Sequence, residues 1–175
     1  GRIADKTRQL KIDDNTVIIF IGDNGTSPKI TSNFEGTKYA GGKGLTTQRG
    51  THVPMIVNGA AVGKKGSVNK SLIDFTDFLP TLLDLSGAPK PDSLLLDGMS
   101  FLPQLKGEEA TGREWIFCAY DPRWGQAKAR TFLYDTTWKV YKTGEVYDLS
   151  KDPDEKTALD RQRLTAAQKK KTEHF

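Results

Sequence analysis

Two short stretches of this chain carry the residue types that do chemistry. The run Val17-Ile18-Ile19-Phe20-Ile21 ends on Gly22-Asp23-Asn24-Gly25, and Gly41-Gly42-Lys43-Gly44 follows, with Lys43 twenty residues after Asp23. A carboxylate and an amide oxygen at the end of an apolar strand are hard donors of the kind a divalent cation takes. Neighbours on a regular strand point to opposite faces, but Gly25 permits a turn through which both oxygens can converge. Lys43 adds one positive charge on backbone that its flanking glycines leave bare. A cation and a fixed ammonium around an anion make half of an ester-cleaving site. Taken alone, Asp-Asn-Gly is an ordinary Asx turn; the motifs around it decide between the two readings.

The elements that must position these residues come next. Val17 to Ile21 is rich in β-branched residues with almost no alternation, the pattern of a strand covered on both faces in a parallel or mixed α/β sheet. The one comparable run is Val53-Pro54-Met55-Ile56-Val57. Two strands do not make such a sheet, so further strands are expected upstream of Gly1. Residues 25–52 are rich in Gly, Thr, Ser and Lys with little periodicity, and a loop of that length is functional or disordered. Loops at the carboxyl edge of α/β strands bind ligands.

Ile3 to Lys11 reads as the end of an amphipathic helix, and Asp13-Asp14-Asn15 as a turn. Asp77 is the expected N-cap of a helix through Thr81 to Leu85, with Pro80 in its first turn and Gly87 and Pro89 stopping it. Its leucines are expected in the core. Residues 88–107 read as a Pro/Gly-rich linker. After Gly112, the short aromatic-rich runs Trp115 to Tyr120, Ala129 to Tyr134, Trp138 to Tyr141 and Glu145 to Leu149 predict an antiparallel meander. Glu155 to Phe175 has helical propensity, with Leu159, Leu164 and Ala167 at rough helical spacing. The fold class is α/β: the last strands of a mixed α/β/α sheet plus a small C-terminal antiparallel β-sheet with a packed helix. The expected division is 1–107 and 108–175.

The chain's 175 residues, 36% hydrophobic and 27% charged, suit a globular protein that buries a sizeable core. No run is long enough to span a membrane, and the first residues are not a signal peptide. The net charge of +4 is scattered, and Lys169-Lys170-Lys171 reads as a solvated helix face, which argues against a nucleic-acid partner. A single cysteine, Cys118, excludes an internal disulfide.

Six pieces in order resemble the sulfatase family of the alkaline phosphatase superfamily: DNTVIIFIGDNG (14–25), GGKG (41–44), THVPMIV (51–57), DFLPTLLDLSG (77–87), LDGMSFLPQLKG (96–107) and GEVYDLSKDPDE (144–155). The resemblance implies that Asp23 and Asn24 are calcium ligands and that Lys43 contacts the sulfate group as a catalytic and substrate-binding residue. It implies a sulfatase-type sheet, a sulfated sugar or aryl sulfate as substrate, and a periplasmic or secreted location.

Several features depart from the family pattern. The C/S-x-P-x-R motif that yields the formylglycine nucleophile is absent, and Cys118 reads as a core thiol. Asp13-Asp14 precedes its strand, so it cannot replace the family's Asp-Asp metal pair. The family's Gly-Lys-x-His lysine and histidine are also missing. Arg49 and His52 follow the lysine loop and are candidates for shaping substrate choice, His52 as a substrate-binding residue; a packed, hydrogen-bonded role for His52 is the other reading. The expectation is a C-terminal sulfatase portion whose other half lies upstream, inactive alone and prone to self-association through exposed sheet edges. Two alternatives stand beside it. One is a phosphoester or phosphonate hydrolase of the same superfamily. The other is a non-catalytic carbohydrate-binding module using Trp115, Trp124, Trp138, Tyr120 and Tyr134.

Overall fold

The computed structural model describes residues 1–122 and 128–173. In chain order its elements are α1 (Arg2–Gln9), β1 (Val17–Ile21), β2 (Thr31–Phe34), β3 (Thr37–Ala40), α2 (Gln48–Thr51), β4 (Met55–Gly59), α3 (Phe78–Ser86), α4 (Leu102–Lys106), β5 (Ile116–Tyr120), β6 (Arg130–Tyr134), β7 (Trp138–Tyr141), β8 (Val146–Asp148) and α5 (Ala166–Glu173). Contacts group Gly1–Ile21 with Pro54–Glu114 as one unit, and Gly22–Val53 with Trp115–Phe175 as a second. This grouping cuts the chain differently from a division at 107/108, because residues 22–53 share their unit with the C-terminal strands.

In the first unit β1 and β4 pair antiparallel, with Val17 opposite Gly59, Ile19 opposite Val57 and Ile21 opposite Met55. The second strand begins at Met55, two residues later than the apolar run suggests, because Pro54 has no N–H to give to a ladder. Phe20 and Ile56 are cross-strand partners and stay 60% and 62% exposed. The β1–β4 ladder thus leaves apolar side chains uncovered, in keeping with a strand sequence that asks for cover on both faces.

Helix α3 departs from expectation at its start. Asp77 occupies the cap position, but its carboxylate makes no bond to the helix N–H groups. Asp74 caps the preceding 3-10 turn instead, accepting from the Thr76 N–H at 3.3 Å. The buried Asp77 carboxylate takes the N–H of Asp74 and the N–H of Met99, each at 2.7 Å, and the Arg113 guanidinium. The fully buried Thr81 hydroxyl receives the Phe101 N–H at 2.9 Å. Residues 98–106 are therefore docked and partly helical, not a loose linker. Gly87, at φ +67, ends the helix in the left-handed conformation. Leu79 and Leu82 are about half exposed, so only part of the leucine set is core.

In the second unit β5, β6, β7 and β8 form the antiparallel meander in sequence order. Trp138, Val140 and Val146 form its core with Leu159 packed on them, and Leu164 is buried. Cys118 is half-buried on β5 opposite Phe132. The segment after Glu155 forms no α-helix before Ala166, only a 3-10 turn at Arg161–Arg163. Glu155 itself sits at φ +56 with its carboxylate drawn onto Lys139, and the Asp152 carboxylate takes the Thr157 N–H at 2.8 Å. These local bonds outcompete helix propensity. The expected helix reaches Phe175, whose placement, with that of His174, lies outside the described residues.

Burial pushes the Asp77 carboxyl up, but the Arg113 hydrogen bond and the two backbone N–H bonds outweigh it and hold the group below the usual carboxylate range. A depressed folded pKa contributes stability that is present above the unfolded value and lost as pH falls through the folded one. The first unit is therefore expected to lose stability from about pH 4 downward. Removing the guanidinium leaves a buried carboxylate uncompensated, so Arg113→Ala should cost about 3–5 kcal/mol. Denaturant unfolding at pH 7 and pH 3 measures both; equal stability of the Arg113→Ala and parent chains contradicts the assignment.

Candidate active site

Asp23 and Asn24 lie in a bend directly after β1, Asp23 exposed and Asn24 half-buried. Among the described residues neither side chain makes a hydrogen bond or ion pair within the chain. The backbone beside them is held closely. The Gly25 N–H donates to the Gly50 carbonyl at 2.9 Å, and the Lys43 N–H donates to the Thr26 carbonyl at 2.9 Å. Three segments, 25–27, 41–43 and 49–50, thus meet backbone to backbone.

Glycine makes this approach possible. A Cβ on Gly25 would stand 2.0 Å from the Arg49 carbonyl oxygen, and one on Gly41 would stand 2.1 Å from the Ser27 carbonyl oxygen. No larger residue fits either place without moving main chain. Lys43 follows Gly41 and Gly42 into a turn, and its side chain is exposed. The junction brings the Lys43 main chain against Thr26, three residues beyond Asp23.

The long segment between the two motifs is neither disordered nor featureless. Residues 31–40 form the β2–β3 hairpin, with Thr31 opposite Ala40 and Phe34 opposite Thr37. Glu35 at φ +50 and Gly36 at φ +80 make its two-residue turn. All eight strand positions are exposed.

The histidine and arginine candidates fare differently. His52 follows α2 with its N–H on the Gln48 carbonyl at 2.9 Å, and the residue is exposed. Arg49 is turned to Asp154, giving Nε to Oδ1 at 2.7 Å and Nη2 to Oδ2 at 2.8 Å. A bidentate pair of this kind fixes the loop, which gives Arg49 a loop-holding role in the structure. Trp138 is buried in the meander core, which removes it from any sugar-stacking surface. Trp124 lies outside the described residues.

A polar cluster that sequence reasoning missed holds the far end of the lysine loop. Lys139, 2% exposed, pairs with Glu155 at 2.7 Å and also donates to the Thr46 carbonyl. The Tyr141 hydroxyl donates to the other Glu155 oxygen and lies 2.8 Å from Thr46 Oγ1. The Tyr120 hydroxyl donates to the Gly44 carbonyl at 3.0 Å. Burial pushes the Lys139 ammonium down, against the pull of Glu155, and pushes the Tyr141 phenol up, with Glu155 adding to the rise. The available signal was a lysine standing between Trp138 and Val140 in a short apolar strand.

Asp23 and Asn24 fit a hard cation in kind, since both offer oxygen. They do not fit it in number: calcium takes six to eight oxygens, and no group of three or more His, Cys, Asp or Glu suited to a metal occurs among the described residues.

Residues 1–88 match the Sulfatase family, and the chain belongs to that family. It is 27% identical over 150 residues to an N-acetylgalactosamine-6-sulfatase of Canis lupus familiaris, covering 82% of this chain and 29% of the relative. An ulvan-active sulfatase of Formosa agariphila is 33% identical over 104 residues, covering 59% and 18%. Arylsulfatase K of Bos taurus is 29% identical over 174 residues, covering 91% and 30%. The chain spans less than a third of each of these relatives. Its fold is similar to that of BT4656, solved in complex with its substrate D-glucosamine-2-N,6-O-disulfate, at a TM-score of 0.76 and 21% identity over 99% of this chain and 36% of that one. The PsFucS1 sulfatase from Pseudoalteromonas sp. gives 0.72 at 22% identity, covering 99% and 38%.

If the glycine junction sets the backbone here, Gly25→Ala must displace Arg49 or the strand end. Overpacking of this kind costs about 1–3 kcal/mol. Thermal and denaturant unfolding should show that loss, and an unchanged midpoint would refute the close approach.

Proposed function

We propose that this chain carries one share of a site that hydrolyses sulfate esters, with sulfated sugars as the substrate class and aryl sulfates as the simpler surrogate. Family membership supports the reaction class. The substrate class draws support from the BT4656 structure, whose stated substrate is a sulfated glucosamine. The observation that carries the site reading is the Lys43 N–H bond to the Thr26 carbonyl. It ties the lysine loop to the strand end bearing Asp23 and Asn24.

In this reading Asp23 and Asn24 contribute two oxygens to a calcium site whose other ligands come from sequence outside this chain. A bound calcium ion would supply Lewis-acid stabilisation of negative charge on the sulfuryl oxygens. Lys43 presents its ammonium to the same sulfuryl group. Its charge is in place before the reaction, so stabilising the transition state needs no solvent reorganisation. The exposed His52 imidazole is available to a sugar hydroxyl or sulfate oxygen. The nucleophile, a formylglycine in the family, likewise belongs to sequence outside this chain, since no C/S-x-P-x-R motif is present.

Two measurements test the proposal. In an enzyme that includes this chain, Lys43→Ala should lower kcat/KM for a 6-O-sulfated glucosamine by about 100- to 1,000-fold; unchanged kcat/KM with an intact fold overturns the role. The 175-residue chain alone should show no turnover, and activity that persists through repurification contradicts a shared site.

A further inference from the structure

Lys43 makes no side-chain bond among the described residues, so the place of its ammonium depends on how firmly its backbone is held. A four-carbon stem swinging from a loose loop would spread that charge over many positions. The near side of the loop is held by the glycine junction. On the far side, Tyr120 takes the Gly44 carbonyl, Lys139 takes the Thr46 carbonyl and Tyr141 reaches the Thr46 hydroxyl. Asp154 then holds Arg49 by both oxygens. Every one of these contacts ends within six residues of Lys43.

The buried ion pair is the informative member. A lysine and a glutamate taken out of water contribute little net stability, and well-packed apolar residues would serve the strand face as well or better. What an apolar pair cannot do is aim a charged donor at one main-chain carbonyl. Lys139 does so three residues after Lys43, with Glu155 and the rings of Phe132 and Tyr141, 3.9 Å and 5.0 Å away, fixing its ammonium.

We infer that Lys139, Glu155, Tyr141 and Tyr120 are positioning residues that hold the glycine-lysine loop through the carbonyls of Gly44 and Thr46 and so fix where the Lys43 ammonium stands. The inference rests on Lys43 being the sulfate-contacting residue. It gives the C-terminal meander a part in catalysis without any contact to the reacting group. An ammonium displaced by about an ångström forfeits much of its effect on a developing charge.

Tyr120→Phe is the cleanest variant, because it removes one hydroxyl and leaves the buried pair intact. The amides of Lys43 and Leu45, bonded to the Thr26 and Gly42 carbonyls, should exchange with deuterium about fivefold faster. Amides of the β6–β7 ladder should keep their rates. In the active enzyme kcat should fall by a similar factor with KM unchanged, and Glu155→Gln should act in the same direction more strongly. Unchanged exchange at Lys43 and Leu45, or equal acceleration of the ladder amides, overturns the positioning role. A Lys43→Ala variant with normal turnover overturns the functional reading instead, so the two failures are distinguishable.

Discussion

The arrangement of the second unit depends on main chain lying against main chain at Gly25 and Gly41. Hydrogen bonds to the carbonyls of Gly50 and Thr26 can form only where those segments come within side-chain distance of each other, and a single methyl would block the approach. The chemistry-bearing residues sit at the margins of this contact: Asp23 and Asn24 just before it, Lys43 just after. Among the described residues their own side chains make no hydrogen bond or ion pair. Rigid backbone under uncommitted polar groups is the combination a ligand site requires, since the groups must be both placed and available.

Each unit also contains a buried charged hub that fixes irregular backbone. In the first, the Asp77 carboxylate collects two main-chain N–H groups and the Arg113 guanidinium, pinning residues 97–101 to the start of α3. In the second, Lys139 and Glu155 pin the stretch after the lysine loop. Segments without regular ladders have orphan carbonyls and N–H groups, and charge-assisted bonds satisfy them more strongly than neutral ones. Hydrophobic packing alone would leave those groups wanting partners.

Much of the architecture was legible because one physical signal dominated locally. The β-branched run fixed β1 to its residues, and the aromatic runs separated by turn residues marked all four strands of the meander. The reading lost accuracy where tertiary bonds override local preference. Asp77 looks like a helix cap, yet its carboxylate has better partners in Met99 and Arg113, and Asp74 caps instead. Glu155 looks like a helix start, but the buried ammonium of Lys139 draws it into a left-handed turn. The β2–β3 hairpin was hidden because Glu-Gly is a weaker turn signal than Asn-Gly and its strands bury nothing. For the candidate site, residue types pointed to Asp23, Asn24, Lys43 and His52. The roles of Arg49, Tyr120 and Lys139 depend on partners far away in sequence; only Lys139, between Trp138 and Val140, left a local mark, and that mark named no partner.

The central claim is that the strand end and the lysine loop form one cooperatively held surface. Native-state amide hydrogen exchange of Gly25, Gly41 and Lys43 tests it most directly. The Gly25 and Lys43 N–H groups point at the Gly50 and Thr26 carbonyls across the junction, and the Gly41 N–H at the Ile30 carbonyl beside it, so all three should show protection and share one opening free energy. A Lys43 amide exchanging at the rate of an unstructured peptide, beside a protected Gly25, would contradict the account.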